Sequence, residues 1–133
     1  MIIFVSDNFV ENYTGGAELT TEAIIDASLF PVNKCYSQQV NLKMMEQHKN
    51  CLWIFGNFSG VTAECLLYAA NNLDYCVVEY DYKFCKYRSV KKHIRFEGKC
   101  NCHNDTDGKL VAIFLAKSRM NFWMSTGQYQ YYK

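Results

Sequence analysis

Tyr13-Thr14-Gly15-Gly16-Ala17-Glu18-Leu19 is the stretch that decides the fold, a paired-glycine turn with a strand before it and a helix after it. Upstream, Ile2-Ile3-Phe4-Val5 is a short apolar run of strand-forming residues, the pattern of a strand buried on both faces. Downstream, Ala17, Thr20, Ile24 and Ala27 recur at helical spacing, flanked by Leu19 and Ala23, which predicts an amphipathic helix. Gly15 and Gly16 let the backbone approach a ligand closely, and the helix behind them offers unpaired N–H groups and the positive end of its dipole. Such a turn suits an anion or a sugar hydroxyl. Paired glycines serve plain strand-to-helix connections as well. Neither Gly-x-Gly-x-x-Gly nor Gly-x-x-x-x-Gly-Lys occurs, so the dinucleotide fingerprint and the P-loop are both absent.

Beyond this unit the same alternation continues. Pro31 stops the first helix, and Val32 to Ser37 reads as a second strand, polar enough to lie nearer an edge. Val40 to His48 predicts a short helix with Leu42, Met44 and Met45 inward, and Cys51-Leu52-Trp53-Ile54-Phe55 is a third strand ended by Gly56-Asn57. Ser59 or Gly60 is the expected cap of a helix that turns Val61, Cys65, Leu66 and Ala69 to one side. Tyr75 to Tyr80 is a fourth strand, Gly108 to Lys117 a last helix, and Met120 to Ser125 a fifth strand. Between Asp81 and Asp107 the regularity fails, in a stretch long enough to suggest a functional loop. Strands alternating with helices predict a single α/β, Rossmann-like domain over residues 1–133: a mostly parallel five-stranded sheet, expected order 3-2-1-4-5, with helices on both faces. Ligands of such sheets sit beyond the carboxyl ends of the strands where the order reverses. In that order the reversal falls between the first and fourth strands, and gathers Asp7, Gly15, Gly16, Glu18, Asn57, Glu79, Tyr80, Asp81 and Ser125 round one crevice.

Composition excludes several classes of function. Lysines and arginines number 14 against 13 acidic residues, so no general attraction to nucleic acid or membrane is expected. No apolar run is long enough to span a bilayer, and Met1 leads into a strand rather than a signal peptide. Seven cysteines, an odd number without a secretion signal, read as reduced thiols in a cytoplasmic protein, with Cys35, Cys51, Cys65 and Cys76 in the core.

The order Ile3-Phe4-Val5-Ser6-Asp7, a loop, then Gly15-Gly16-Ala17-Glu18 and a helix resembles the opening of a family 4 glycosyltransferase of the GT-B type. The likeness runs more weakly to the end of the chain, and its one specific motif is the glycine turn. It implies the acceptor-binding half of an enzyme that transfers a sugar from a nucleotide-sugar donor, with a sugar or phosphorylated acceptor as ligand. The donor would need a second, C-terminal domain or subunit, so a chain of this length is expected to be incomplete as an enzyme. The fourth strand of that family commonly ends in a His-Asp pair. Here the place reads Tyr80-Asp81, which leaves Asp81, with Glu79 two residues before it, as the expected base for the acceptor hydroxyl.

Two further constellations lie in the irregular stretch. Cys85, His93, Cys100, Cys102 and His103 are thiolate and imidazole ligands of the kind zinc prefers, although Cys100-x-Cys102 is tighter than the usual spacing and has no second pair to answer it. They define the competing expectation, a standalone non-catalytic binding module whose loop is stapled by structural zinc. Lys83, Lys86, Arg88, Lys91, Lys92 and Arg95 alternate with aromatics, a pattern that can hold single-stranded nucleic acid but that near-neutral charge argues against. A homodimer is expected to cover exposed strand edges and aromatics, and His48 is expected at the surface.

Overall fold

The computed structural model describes residues 1–12, 14–79 and 106–123. In chain order these form β1 (Ile2–Ser6), α1 (Gly16–Asp26), β2 (Val32–Tyr36), a 3-10 turn (Ser37–Gln39), α2 (Leu42–Gln47), β3 (Leu52–Phe55), α3 (Ala63–Asn72), β4 (Asp74–Glu79), α4 (Thr106–Lys117) and β5 (Met120–Trp123). All neighbouring strands pair in parallel, in one sheet of order β2-β1-β3-β4-β5. The α/β class, the five parallel strands and the helices on both faces are those the sequence predicts.

The strand order corrects the expectation. β3, not β4, lies beside β1, with Ile2 opposite Leu52 and Val5 opposite Phe55. Burial explains the choice. The apolar sequences Ile-Ile-Phe-Val and Leu-Trp-Ile-Phe belong in the middle of a sheet covered on both faces. The sequence Val-Asn-Lys-Cys-Tyr, with Asn33 exposed and Lys34 half-buried, can occupy an edge. The order 3-2-1-4-5 would have put the polar strand inside and Trp53 at the rim.

Strand alternation divides the sheet into two unlike faces. One carries Ile3, Val5, Cys35, Trp53, Phe55, Tyr75 and Val77, which pack against Met45 of α2, Cys65, Leu66 and Ala69 of α3, and Val111, Phe114 and Leu115 of α4. At its centre Tyr75 and Phe114 stack with ring centroids 4.6 Å apart, and Phe55 meets both edge-on. Tyr75 is 1% exposed, and its hydroxyl donates to the Phe114 carbonyl at 2.5 Å, so this large aromatic enters the core without leaving a polar group unpaired. The Trp53 indole does the same by donating to the His48 carbonyl at 3.1 Å. His48, expected at the surface, is half-buried.

α1 covers the other face, and its orientation differs from the predicted stripe. Glu18 and Thr21 are buried, whereas Leu19 and Ile24 are exposed. The side of the helix toward the sheet carries Glu18, Thr21 and half-buried Ile25, and Glu22 at its border is held by Lys34 of β2 at 2.7 Å, the same lysine that holds Glu11 of the preceding loop at 2.6 Å. α3 begins later than predicted, because Thr62 accepts from the Cys65 N–H as its cap while the Ser59 hydroxyl is engaged elsewhere. The last helix starts at Thr106, inside the segment expected to be loop.

Candidate functional site

Parallel strands deliver their carboxyl ends to one edge of the sheet, and here the connections diverge between β1 and β3. The site is built from the residues just after those two strands and from the start of α1. Successive strands lie about 4.8 Å apart, so β4 ends roughly 10 Å from β1, where the expected order had made them neighbours. The backbone of Glu79 closes β4 at that remove. Tyr80, Asp81 and Ser125 lie outside the described residues, as do Cys85, His93, Cys100, Cys102 and His103 of the expected zinc loop.

Asp7, one residue beyond β1, turns out to be a clamp. Its Oδ1 accepts from the Ser37 hydroxyl at 2.5 Å and its Oδ2 from the Ser59 hydroxyl at 2.6 Å. Ser37 is fully buried and also accepts from the Gly60 N–H at 3.2 Å. One carboxylate thus joins the ends of β1 and β2 to the β3–α3 loop. Gly60 has no room for a side chain, since a Cβ there would lie 2.5 Å from Ser37 Oγ and 2.9 Å from the Gln38 nitrogen. The clamp fixes the crevice floor and occupies one acceptor position on each Asp7 oxygen.

The loop from Asp7 to Asn12 is anchored by Phe9, which is 1% exposed and meets Tyr36 edge-on at 5.3 Å. The Tyr36 hydroxyl donates to Asn12 Oδ1 at 2.5 Å, and Lys34 sits 5.5 Å from the Phe9 ring centroid while holding Glu11. The hydrogen bond from Lys34 keeps Glu11 below the usual carboxylate range, and the bonds to Glu11 and Glu22 push the lysine up.

Gly15 and Gly16 stand differently from Gly60. Gly15 is the N-cap of α1 in extended conformation and supplies no side-chain hydrogen bond to the first turn. By contrast, Asn41 caps α2 and Thr62 caps α3. A Cβ on Gly16 would meet no atom within 4 Å. Glu18 follows in the first turn, 9% exposed, where its carboxylate complements the positive helix end. After β3, whose ladder extends to the Gly56 N–H on the Val5 carbonyl, comes Asn57. Its Oδ1 is buried and has no hydrogen-bond partner among the described residues.

Of the predicted site residues, the fold assembles Asp7, Gly15, Gly16, Glu18 and Asn57 at one edge. Sequence reasoning missed Ser37, Ser59 and Gly60. No local spacing marks them, because Ser37 and Ser59 stand 30 and 52 positions from the Asp7 carboxylate they donate to. The cysteines expected in the core are free thiols. Cys35, Cys65 and Cys76 are buried and Cys51 half-buried, and desolvation pushes the Cys35 and Cys76 thiols up, away from nucleophilic thiolate. Among the described residues no helix is long and apolar enough to cross a membrane. No family model, curated protein or solved structure matches the chain.

Proposed function

We propose that the crevice between the ends of β1 and β3 binds a hydroxylated ligand, and that the domain acts as the acceptor-binding half of a nucleotide-sugar-dependent glycosyltransferase. The observation that carries the reading is Gly16, a glycine at the start of a helix where a side chain would meet nothing. Glycine is a poorer helix former than alanine, by roughly 0.5–1 kcal/mol in a helix interior and by less at this first position, and no packing need offsets it. Access to the first-turn N–H groups of α1 would. Asn57 Oδ1 adds a buried acceptor that a ligand's donor would satisfy, against a cost of about 1–3 kcal/mol for leaving it unpaired.

A hydroxyl fits this pair of features better than a phosphate does. It accepts from the helix N–H groups and donates to Asn57 without bringing a negative charge, whereas a phosphate places its charge beside the Asp7 and Glu18 carboxylates. Asp7 and Glu18 already place carboxylates at this edge, and the Lys34 ammonium is taken by Glu11 and Glu22. In this reading a sugar acceptor lies with one hydroxyl at Gly15 and Gly16, Asp81 or Glu79 acts as base, and a second domain supplies the donor. The test is Gly16→Val, which the open space at that position should let fold normally. Glucose and N-acetylglucosamine serve as probes. The reading expects the variant to lose their binding with an unchanged near-ultraviolet circular dichroism spectrum; retained binding in a folded variant would remove the glycine turn from the site.

A further inference from the structure

The end of the sheet opposite the crevice carries an apolar projection beside an apolar hollow. Leu29 is 95% exposed and Phe30 66% exposed, in the connection between α1 and β2. That connection is held rigidly: the Ser28 hydroxyl donates to the Phe30 carbonyl at 2.8 Å and accepts from the Phe30 N–H at 3.1 Å, while the Ile2 N–H donates to the Pro31 carbonyl at 3.0 Å. The backbone that carries the two large side chains is thus held in place, and both side chains project from it into solvent. Directly beside them, between α1 and the sheet, lies a cavity of about 330 Å³ walled by Ile2, Phe4, Ile24, Ile25, Val32 and Ile54. Ser28 lines the same cavity, so the projection begins where the hollow ends.

We infer that this surface is an interface between two copies of the chain, related by a two-fold axis, in which Leu29 of each copy enters the hollow of the other and Phe30 packs at its rim. A two-fold contact requires one patch to be complementary to itself, and a patch that carries both the projection and the recess meets that condition. A hollow of this size admits one aromatic or leucine side chain. Area supports the same occupant. Met1, Leu29 and Phe30 each offer on the order of 100 Å² of apolar surface, somewhat over a third of the roughly 800 Å² per partner of a standard stable interface before the hollow's own walls, Ile24 among them, are counted. Rigidity lowers the ordering cost on association. The contact lies at the amino ends of β1 and β2, so both crevices stay open in the dimer, and the inference stands or falls separately from the proposed function.

The test is analytical ultracentrifugation of the full chain and of Leu29→Asp across a concentration series. Leu29 makes so little contact with its own chain that the variant should keep the fold, checked by circular dichroism. A wild-type dimer whose dissociation constant rises at least about tenfold in the variant is the expected result. A mixed-label NMR sample should then give contacts between Leu29 or Phe30 of one copy and Ile24 or Ile54 of the other. A wild-type protein that stays monomeric throughout, with the hollow filled by another part of the chain or by a small apolar molecule, overturns the inference. So does a dimer indifferent to Leu29→Asp.

Discussion

Removing the Asp7 carboxylate should loosen three elements at once, and the size of the loss can be worked out from its partners. Asp7 is half-buried and accepts two hydroxyl hydrogen bonds, from fully buried Ser37 at 2.5 Å and from exposed Ser59 at 2.6 Å. A hydrogen bond to a charged group contributes about 1.5–3 kcal/mol when shielded from water, and the exposed Ser59 bond adds less. Asp7→Ala should therefore cost about 2–4 kcal/mol, a large share of the roughly 5–15 kcal/mol that holds an ordinary domain together. For a chain of 133 residues, 1 kcal/mol corresponds to about 3–4 °C in melting temperature. Asp7→Ala should thus melt roughly 10 °C below wild type by calorimetry or circular dichroism. Ser59→Ala, at the exposed end of the clamp, should cost no more than about 1 kcal/mol. The double variant Asp7→Ala/Ser37→Ala should fall short of the sum of its singles by about 1–2 kcal/mol, because each single change already breaks the shared bond. A melting temperature for Asp7→Ala within 2 °C or so of wild type, or strict additivity in the cycle, would show that the clamp does not hold the crevice floor.

Other consequences can be checked alongside. Gly60→Ala should destabilise by about 1–3 kcal/mol, since its new methyl collides with Ser37 and Gln38, while Gly16→Ala should leave stability unchanged or raise it by up to about 1 kcal/mol; urea unfolding of the two variants distinguishes the glycines. Tyr75→Phe should cost about 1–2 kcal/mol by leaving the Phe114 carbonyl without its donor. Burial pushes the Tyr75 hydroxyl up, so its contribution is complete below the unfolded value near 10 and declines as pH rises past it, when the unfolded chain ionises and the folded one does not. Wild type should accordingly lose stability above pH 10 or so more steeply than Tyr75→Phe, and parallel alkaline melts would refute the assignment. The Lys34 pairs act at both ends of the scale: the Glu11 contribution fades as pH falls through its lowered value, and that of Lys34 as pH rises through its raised one. Lys34→Met should flatten both arms of the stability profile, with an effect at neutral pH small enough for salt to mask.

The class of fold was legible because both periods of the sequence are strong. Ile2–Val5 and Leu52–Phe55 are apolar in the run length of buried strands, and Leu110, Val111, Phe114 and Leu115 repeat at helical spacing, with the last three buried on α4. Strand order was legible too, but the polar character of β2 had to be carried through to its consequence. A strand that belongs at an edge cannot separate β1 from β3. The stripe on α1 misled because the helix has few large apolar residues and two of them are adjacent, Ile24 and Ile25, so the pattern did not decide which faces the sheet; Ile25 is half-buried while Ile24 and Leu19 are exposed. Of the site, the glycine turn could be read as the opening of α1, while paired glycines that serve plain strand-to-helix connections look the same in sequence. The Asp7 clamp could not, because it joins residues 30 and 52 positions apart that only the β2-β1-β3 order brings together.

The central claim is that the edge formed by β1, β3 and α1 holds a hydroxylated ligand, and the most direct test is an amide NMR chemical-shift map. Glucose, N-acetylglucosamine and inorganic phosphate would each be titrated into the labelled protein. The account predicts saturable shifts from at least one of the two sugars at Gly15 to Leu19 and at Asn57 to Gly60, with phosphate weaker at the same amides. Shifts confined to other parts of the sheet, or a phosphate response at Gly15 and Gly16 stronger than that of either sugar, would contradict it.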